Sequence, residues 1–355
     1  MTSFSAFDHA MMARALALAE KGLYTTTPNP RVGCVITRSE QIVGEGWHEK
    51  AGAPHAEILA LRNIQGQAAG ATVYVNLEPC NHHGKTPPCA AALISTKVAR
   101  VVAAMRDPNP QASGGGAALA AAGIRFEHGL MEDAARELNI GFVSRMTRGR
   151  PWVRLKAAAT LDGRSALADG RSQWITGPEA RKDGHRWRAR ACAVLTGIGT
   201  VKADDPRLTV REVPTPRQPL RVIVDSRLET PPAARILEGE KVLVFSGKAG
   251  QVKNAEVIPL PNADGKVDLP RMLEELARRG VNELHVEAGF RLNGSLVREG
   301  CVDEVLLYLN PSFLGDSAQG IVDLPAPHTL DERLRLRMVS VDRLGEDLRV
   351  LARPA

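Results

Sequence analysis

One histidine, one glutamate and two cysteines are the residues of this 355-residue chain best suited to chemistry: His55 and Glu57 in "GAPHAEILA", and Cys80 and Cys89 in "LEPCNHHGKTPPCAAAL". A catalytic zinc takes about three nitrogen or sulfur ligands and keeps one position open for water. His55, Cys80 and Cys89 are ligands of that kind. His55 follows Pro54 and Cys89 follows Pro87 and Pro88, and proline favours the first turn of a helix. The positive end of a helix favours thiolate, the form that binds metal. Glu57 lies two residues past His55, close enough to share the site without ligating. That place suits a base that takes a proton from the reacting water and returns it to a leaving group. His82 and His83 fall between the cysteines and could compete as ligands. A closed four-ligand site would be structural and would leave Glu57 without a role.

Alternating strand and helix patterns must position these residues. Over residues 1–148 the apolar runs "VGCVIT", "ATVYVNL" and "ARVVAAM" read as strands. "HAEILALRNI", "CAAALIST" and "EDAARELNIGFV" read as helices, and "DPNPQASGGGAALAAAG" as a loop opening a short helix. "RMTRGRP" then marks a boundary near residue 150. Beyond it many strands are expected, from "WVRLKAAATL" to a closing "LRMVSVDRLGEDLRVLAR", with three helices at "GPEARKDGHRWRARA", "DLPRMLEELARRG" and "FRLNGSLVREG". Both halves therefore read as α/β.

Composition narrows the classes. With 44% hydrophobic and 24% charged residues the chain is globular. Only 4% of residues are aromatic, which argues against a stacking platform for single-stranded nucleic acid. The net charge of +6 is uneven: residues 145–211 carry 15 Lys and Arg against 6 Asp and Glu, so the rest is net acidic. Such a basic block suits a phosphorylated small molecule at least as well as a polynucleotide, and a solvated basic face is the plain alternative. Five cysteines form no disulfide-framework pattern, and Cys34, Cys192 and Cys301 read as core residues. A reducing cytoplasm fits this usage. The N-terminus reads as an amphipathic helix rather than a signal peptide, and no run is long and apolar enough to span a bilayer.

H-x-E followed by P-C…C is the zinc nucleobase-deaminase signature, here "HAE" and "PCNHHGKTPPC", with eight residues between the cysteines where two are common. "TTTPNPRVGCVI", "GWHEKAGAPHAEILAL", "YVNLEPCNHHGKTPPCAAALI" and "DPNP" together resemble the deaminase half of the bifunctional riboflavin-biosynthesis deaminase–reductase family, in which the long spacer is a hallmark. The resemblance implies a cytidine-deaminase-like α/β/α domain over 1–148, one zinc on His55, Cys80 and Cys89, and Glu57 as proton shuttle. It also implies a pocket lined by Asn29, His48, Lys85 and Asn109 for a pyrimidine bearing a ribose phosphate. Turn chemistry beside proline is an equal account of Asn29 and Asn109.

In the second half "LHVEAGFRLNGSL" reads as a strand, a glycine turn and a helix start, able to hold a dinucleotide's phosphates but unspecific alone. Trp174 in "SQWITG" is a possible cofactor contact or a packing residue, and Asp204 and Asp205 could bind sugar hydroxyls or make surface salt bridges. With "KAAATLDGRSA", "VLTGIGTVKADDPRLTVR" and "VIVDS" these stretches resemble the reductase half of the same family. That implies a dihydrofolate-reductase-like α/β domain over 149–355 that uses NADPH. Implied cofactor contacts are Ala158, Trp174, Thr200, Asp204, Ser226 and the turn Gly289, Phe290, Arg291, Leu292, Asn293, Gly294, Ser295. Implied substrate contacts are Ser172, Arg188, Leu208, Arg211 and Glu287, with Lys156 catalytic beside the reacting ribose.

The expected reactions are deamination of 2,5-diamino-6-(5-phosphoribosylamino)pyrimidin-4-one, then reduction of its ribosyl group to ribityl. The expected protein is a cytoplasmic homo-oligomer acting on a small molecule, without nucleic acid or membrane as partner. A nucleic-acid-editing zinc deaminase with an accessory binding domain, and a zinc-stabilised interaction module without catalysis, are the rival classes.

Overall fold

The computed structural model describes residues 4–82, 87–239 and 242–355. Its chain divides into two compact units, Met1–Gly149 and Arg150–Ala355.

The first unit begins with α1 (Ala6–Glu20), whose N-terminus Ser5 and Asp8 close reciprocally as a capping box. Five strands follow with helices between them: β1 (Gly33–Arg38), β2 (Gln41–Trp47), β3 (Thr72–Leu77), β4 (Arg100–Met105) and β5 (Arg125–His128). They pair in the order β2-β1-β3-β4-β5, antiparallel across β2, β1 and β3 and parallel from β3 to β5. Nearly every residue of β3 and β4 is buried, as strands covered on both faces must be. Three helices carry or brace the candidate ligands: α2 (Ala56–Asn63), α3 (Cys89–Ser95) and α4 (Gly115–Ala121). The run expected as one helix over "EDAARELNIGFV" is two, α5 (Glu132–Leu138) and α6 (Ile140–Arg148), broken at Asn139 with φ −108° and ψ 22°. Met12, Leu16, Val35, Tyr74, Leu93, Met105 and Phe142 belong to one continuous core.

The second unit holds a nine-stranded sheet. In sequence its strands are β6 (Trp152–Thr160), β8 (Ala193–Gly197), β9 (Leu220–Val224), β10 (Val242–Ser246), β11 (Ala255–Pro259), β12 (Glu283–Val286), β13 (Glu304–Asn310), β15 (Leu336–Leu344) and β16 (Asp347–Pro354). The spatial order is β11-β10-β9-β8-β12-β6-β13-β16-β15, parallel as far as β13 and antiparallel thereafter. Short β7 (Arg164–Ala166) and β14 (Gln319–Gly320) pair separately. The helices are α7 (Pro178–Arg190), α8 (Ile198–Asp204), α9 (Leu269–Arg278) and α10 (Phe290–Arg298). The closing run read as one strand folds back on itself as the β15–β16 hairpin, turning at Gly345 with φ +63°. Cys34, Cys192 and Cys301 are buried in the two units.

Candidate functional site

His55 is the residue at which the chain enters α2, Cys80 follows the buried end of β3, and Cys89 is the first residue of α3. The fold thus draws residues from three segments to one point. His55 Nδ1 lies 3.2 Å from Cys89 Sγ and 3.6 Å from Cys80 Sγ, and the three ligating atoms fall within 4.8 Å of one another. No other His, Cys or carboxylate joins this group among the described residues. One half-buried imidazole and two buried thiols, with no fourth ligand among the described residues, fit a zinc that keeps a position open. His82 is exposed and outside the cluster, while His83 and Lys85 lie outside the described residues.

The electrostatics favour metal binding. The Cys80 thiol, hydrogen-bonded by Cys89 and by His55, is pulled down to about 4. The Cys89 thiol is pushed up, first by Cys80 and then by burial. Glu57, in the first turn of α2 and 3% exposed, is raised above the usual carboxylate range by burial, against the pull of His55. A carboxyl that takes up protons readily beside a ligand cluster suits a shuttle.

His48 and Asn29 stand beside the cluster. The His48 ring packs edge-on against His55, 5.4 Å between centroids. Its Nδ1–H donates to the Pro54 carbonyl at 3.1 Å, which leaves Nε2 to accept from Asn29 Nδ2 at 3.1 Å. Burial holds this imidazole neutral by lowering its pKa. Asn109 is engaged in local turn chemistry, its Oδ1 accepting from the Gln111 N–H. Asp107, which opens the same "DPNP" loop, is pushed up to about 6 by burial, with the nearby Glu78 carboxylate adding to the effect.

In the second unit β6 and β12 are neighbours, and they bring Lys156 and Glu287 together, 3.9 Å between Nζ and Oε2. Arg188, from α7, grips both Glu287 oxygens and donates to the Thr209 carbonyl. Burial opposes ionisation of Glu287, but the Arg188 guanidinium overrides it and holds the carboxyl well below its usual range. Burial lowers the Lys156 pKa. Arg188 is therefore occupied by a carboxylate, whereas Arg211 is exposed and steadied by Thr209.

The expected cofactor residues separate into two sets. Ser172 Oγ reaches Asp204 at 3.4 Å, and Gly289, where α10 begins, faces Thr200 in α8: a Cβ there would stand 3.5 Å from Thr200 Oγ1. Ser226 accepts from the Val267 N–H, Ala158 sits in register with Tyr308, and the Trp174 ring is 72% exposed with Arg181 over it. The first turns of α8 and α10 thus approach each other at Thr200 and Gly289, and backbone N–H groups at a helix start are of the kind that holds a nucleotide phosphate. Phe290, Arg291 and Leu292 form the first turn of α10. Asn293 instead donates to the Ile321 carbonyl, Gly294 abuts the Asp323 backbone, and Ser295 bonds back to Arg291. Leu208 is buried among Val194, Val201 and Ile223, so its side chain packs the core.

Two sites of such different character define the class: a hydrolytic deaminase joined to a pyridine-nucleotide reductase. Residues 5–105 match the cytidine and deoxycytidylate deaminase zinc-binding region, and residues 151–350 match the RibD C-terminal domain. The chain is 44% identical to the riboflavin biosynthesis protein RibD of Escherichia coli, over 96% of this chain and 98% of that protein. It is 43% identical to RibD of Aquifex aeolicus, over 96% and 97%. The solved structure of Acinetobacter baumannii RibD superposes with a TM-score of 0.92 at 42% identity, covering 98% of this chain and 99% of that one. The Thermotoga maritima diaminohydroxyphosphoribosylaminopyrimidine deaminase/5-amino-6-(5-phosphoribosylamino)uracil reductase gives 0.90 at 32%, with the same coverage. The chain belongs to the bifunctional riboflavin-biosynthesis deaminase–reductase family. It is an enzyme of riboflavin biosynthesis that uses zinc in a cytidine-deaminase-like domain and NADPH in a reductase domain. Likeness over both halves favours this reading over a nucleic-acid-editing deaminase.

Proposed function

We propose that residues 1–148 deaminate 2,5-diamino-6-(5-phosphoribosylamino)pyrimidin-4-one and that residues 149–355 then reduce its ribosyl group to ribityl. His55, Cys80 and Cys89 hold the zinc, which when bound supplies Lewis-acid activation of the reacting water. Glu57 takes the water's proton and delivers it to the departing ammonia. Asn29, His48, Asn109 and Lys85 bind the pyrimidine and its phosphate. In the second unit bound NADPH supplies a hydride. Lys156 acts beside the reacting ribose, Glu287 and Arg188 fix its position, and Arg211 meets the phosphate, with Ser172 and the backbone around Leu208 completing the substrate contacts. Gly289, Phe290, Arg291, Leu292, Thr200, Asp204, Ser226, Ala158 and Trp174 meet the cofactor.

The observation that carries this reading is the buried Glu57 carboxyl, raised in pKa, beside three converging zinc-type ligands. The test of order is an NADPH oxidation assay. Oxidation is expected with the deaminated intermediate and not with its precursor; oxidation with the precursor at an equal rate would overturn the sequence of steps.

The substrate in this reading is a small molecule, in place of nucleic acid or a membrane surface, and the compartment is the cytoplasm, which five cysteines with no disulfide between them support. We also take the protein to assemble as a homo-oligomer. Supporting this, β15 is the edge of the nine-stranded sheet and exposes Leu336, Met338 and Val341, an apolar edge of the kind another chain covers.

A further inference from the structure

We propose that Asn139, at the break between α5 and α6, is a positioning residue for the deaminase pocket, holding the segment that presents Asn29. The inference rests on the reading of Asn29 as a substrate contact.

Asn139 is 2% exposed and spends its carboxamide on both backbone groups of one residue, Arg31, 108 positions away. Its Oδ1 accepts from the Arg31 N–H at 2.7 Å, and its Nδ2 donates to the Arg31 carbonyl at 3.0 Å. Asn76, fully buried on β3, donates to the same carbonyl at 2.9 Å and accepts from the Gly33 N–H at 2.8 Å. The flanking residues of the two helices add to the grip. Arg31 Nη1 donates to the Leu138 carbonyl at the end of α5, and Arg145 of α6 donates to the Pro28 carbonyl at 3.1 Å. Between these anchored points, Pro28 and Arg31, stands Asn29, whose N–H donates to Thr26 and whose Nδ2 meets His48.

Asn139 sits where the chain leaves α5 and enters α6; its own N–H and C=O keep their bonds to Ala135 and Val143, so its side-chain amide is left to turn to Arg31. Buried backbone N–H and C=O groups must be paired, and here side chains pair both groups of Arg31: Asn139 takes the N–H and shares the carbonyl with Asn76. Removing the Asn139 side chain takes away the partner of the Arg31 N–H and one of the two side-chain donors to its carbonyl, and so loosens the Pro28–Arg31 segment where Asn29 approaches His48.

The test uses Asn139→Ala and Asn139→Asp in the full chain. Asn139→Asp keeps the volume and the acceptor for the Arg31 N–H but, ionised, cannot donate to the Arg31 carbonyl. Ammonia release, zinc content and NADPH oxidation are measured on each. For Asn139→Ala the KM of deamination is expected to rise about tenfold, with a smaller rise for Asn139→Asp. The deamination kcat should stay within about twofold, and zinc content and reductase kinetics should be unchanged. An unchanged KM in both variants overturns the proposal, as does joint loss of zinc and deamination in both, which would make Asn139 a residue of plain stability. Asn29→Ala is the companion. If it leaves KM unchanged, the pocket reading beneath the proposal fails; if it raises KM while the Asn139 variants do not, the clamp alone fails.

Discussion

Two carboxyls illustrate how placement sets the task of a side chain. Glu57 is buried and Glu287 partly so, yet burial raises the first while Arg188 holds the second far down. The first is suited to carry protons and the second to stay charged and orient cations. Replacing Glu57 by Gln keeps the shape and removes the shuttle. Zinc content should be unchanged while deamination falls by about 10²- to 10⁴-fold, measured as ammonia release alongside metal analysis; activity at the original level would remove Glu57 from the mechanism. A second residue-scale outcome concerns His185, 5% exposed, whose Nδ1 accepts from the Arg211 N–H. Burial, joined by Arg188 and Arg211, lowers its pKa from 6.5 to about 4. A histidine depressed in the fold binds fewer protons than in the unfolded chain, so its contribution is present above about pH 6.5 and lost as pH falls toward 4. Denaturation midpoints of the second unit should fall across that window, and His185→Asn should flatten the fall.

Among the elements, those that carry ligands were legible and those that brace them were not. His55, Cys80 and Cys89 stood out because proline-opened helices and thiol spacing are local signals. β2 was missed: Gly44 and Gly46 interrupt its apolar alternation, and it lies at the sheet edge, where little burial is demanded. β5 is four residues with Arg and His at its ends. α8 begins Ile-Gly-Thr-Val, a poor helix sequence, and forms because the strand before it ends there. Leu208 was read as a contact, and its side chain fills the core, so only its backbone is left to meet a ligand. The triple glycine was read in a loop opening a short helix, and α4 does begin there, at Gly115, where packing also demands a glycine. A Cβ on Gly115 would fall 1.8 Å from the Pro79 carbonyl oxygen, one residue before Cys80. Gly115→Ala must therefore push α4 from the ligand turn, a cost of about 1–3 kcal/mol. Chelator competition should show weaker zinc retention and the deaminase should fail first, while NADPH oxidation persists.

On the scale of the whole molecule, each unit has its own buried core, one around β3 and β4 and another around β6, β8 and β12. Removing zinc should accordingly abolish ammonia release and lower the melting point of the first unit while leaving reduction of the deaminated intermediate intact. Simultaneous loss of both activities on chelation would contradict this independence. The two sheets also differ in when their partners exist. β3 and β4 are separated by a single helix, whereas β6, the first strand of its sheet, lies between β12 and β13. On a ribosome the first unit has every strand it needs by the time residue 149 emerges. Trp152–Thr160 must wait for strands translated well over a hundred codons later, and long-range parallel pairing is slow to form in any case. A nascent chain stalled midway would thus carry a finished deaminase trailed by an unpaired apolar strand, the stretch that holdase chaperones would have to shield.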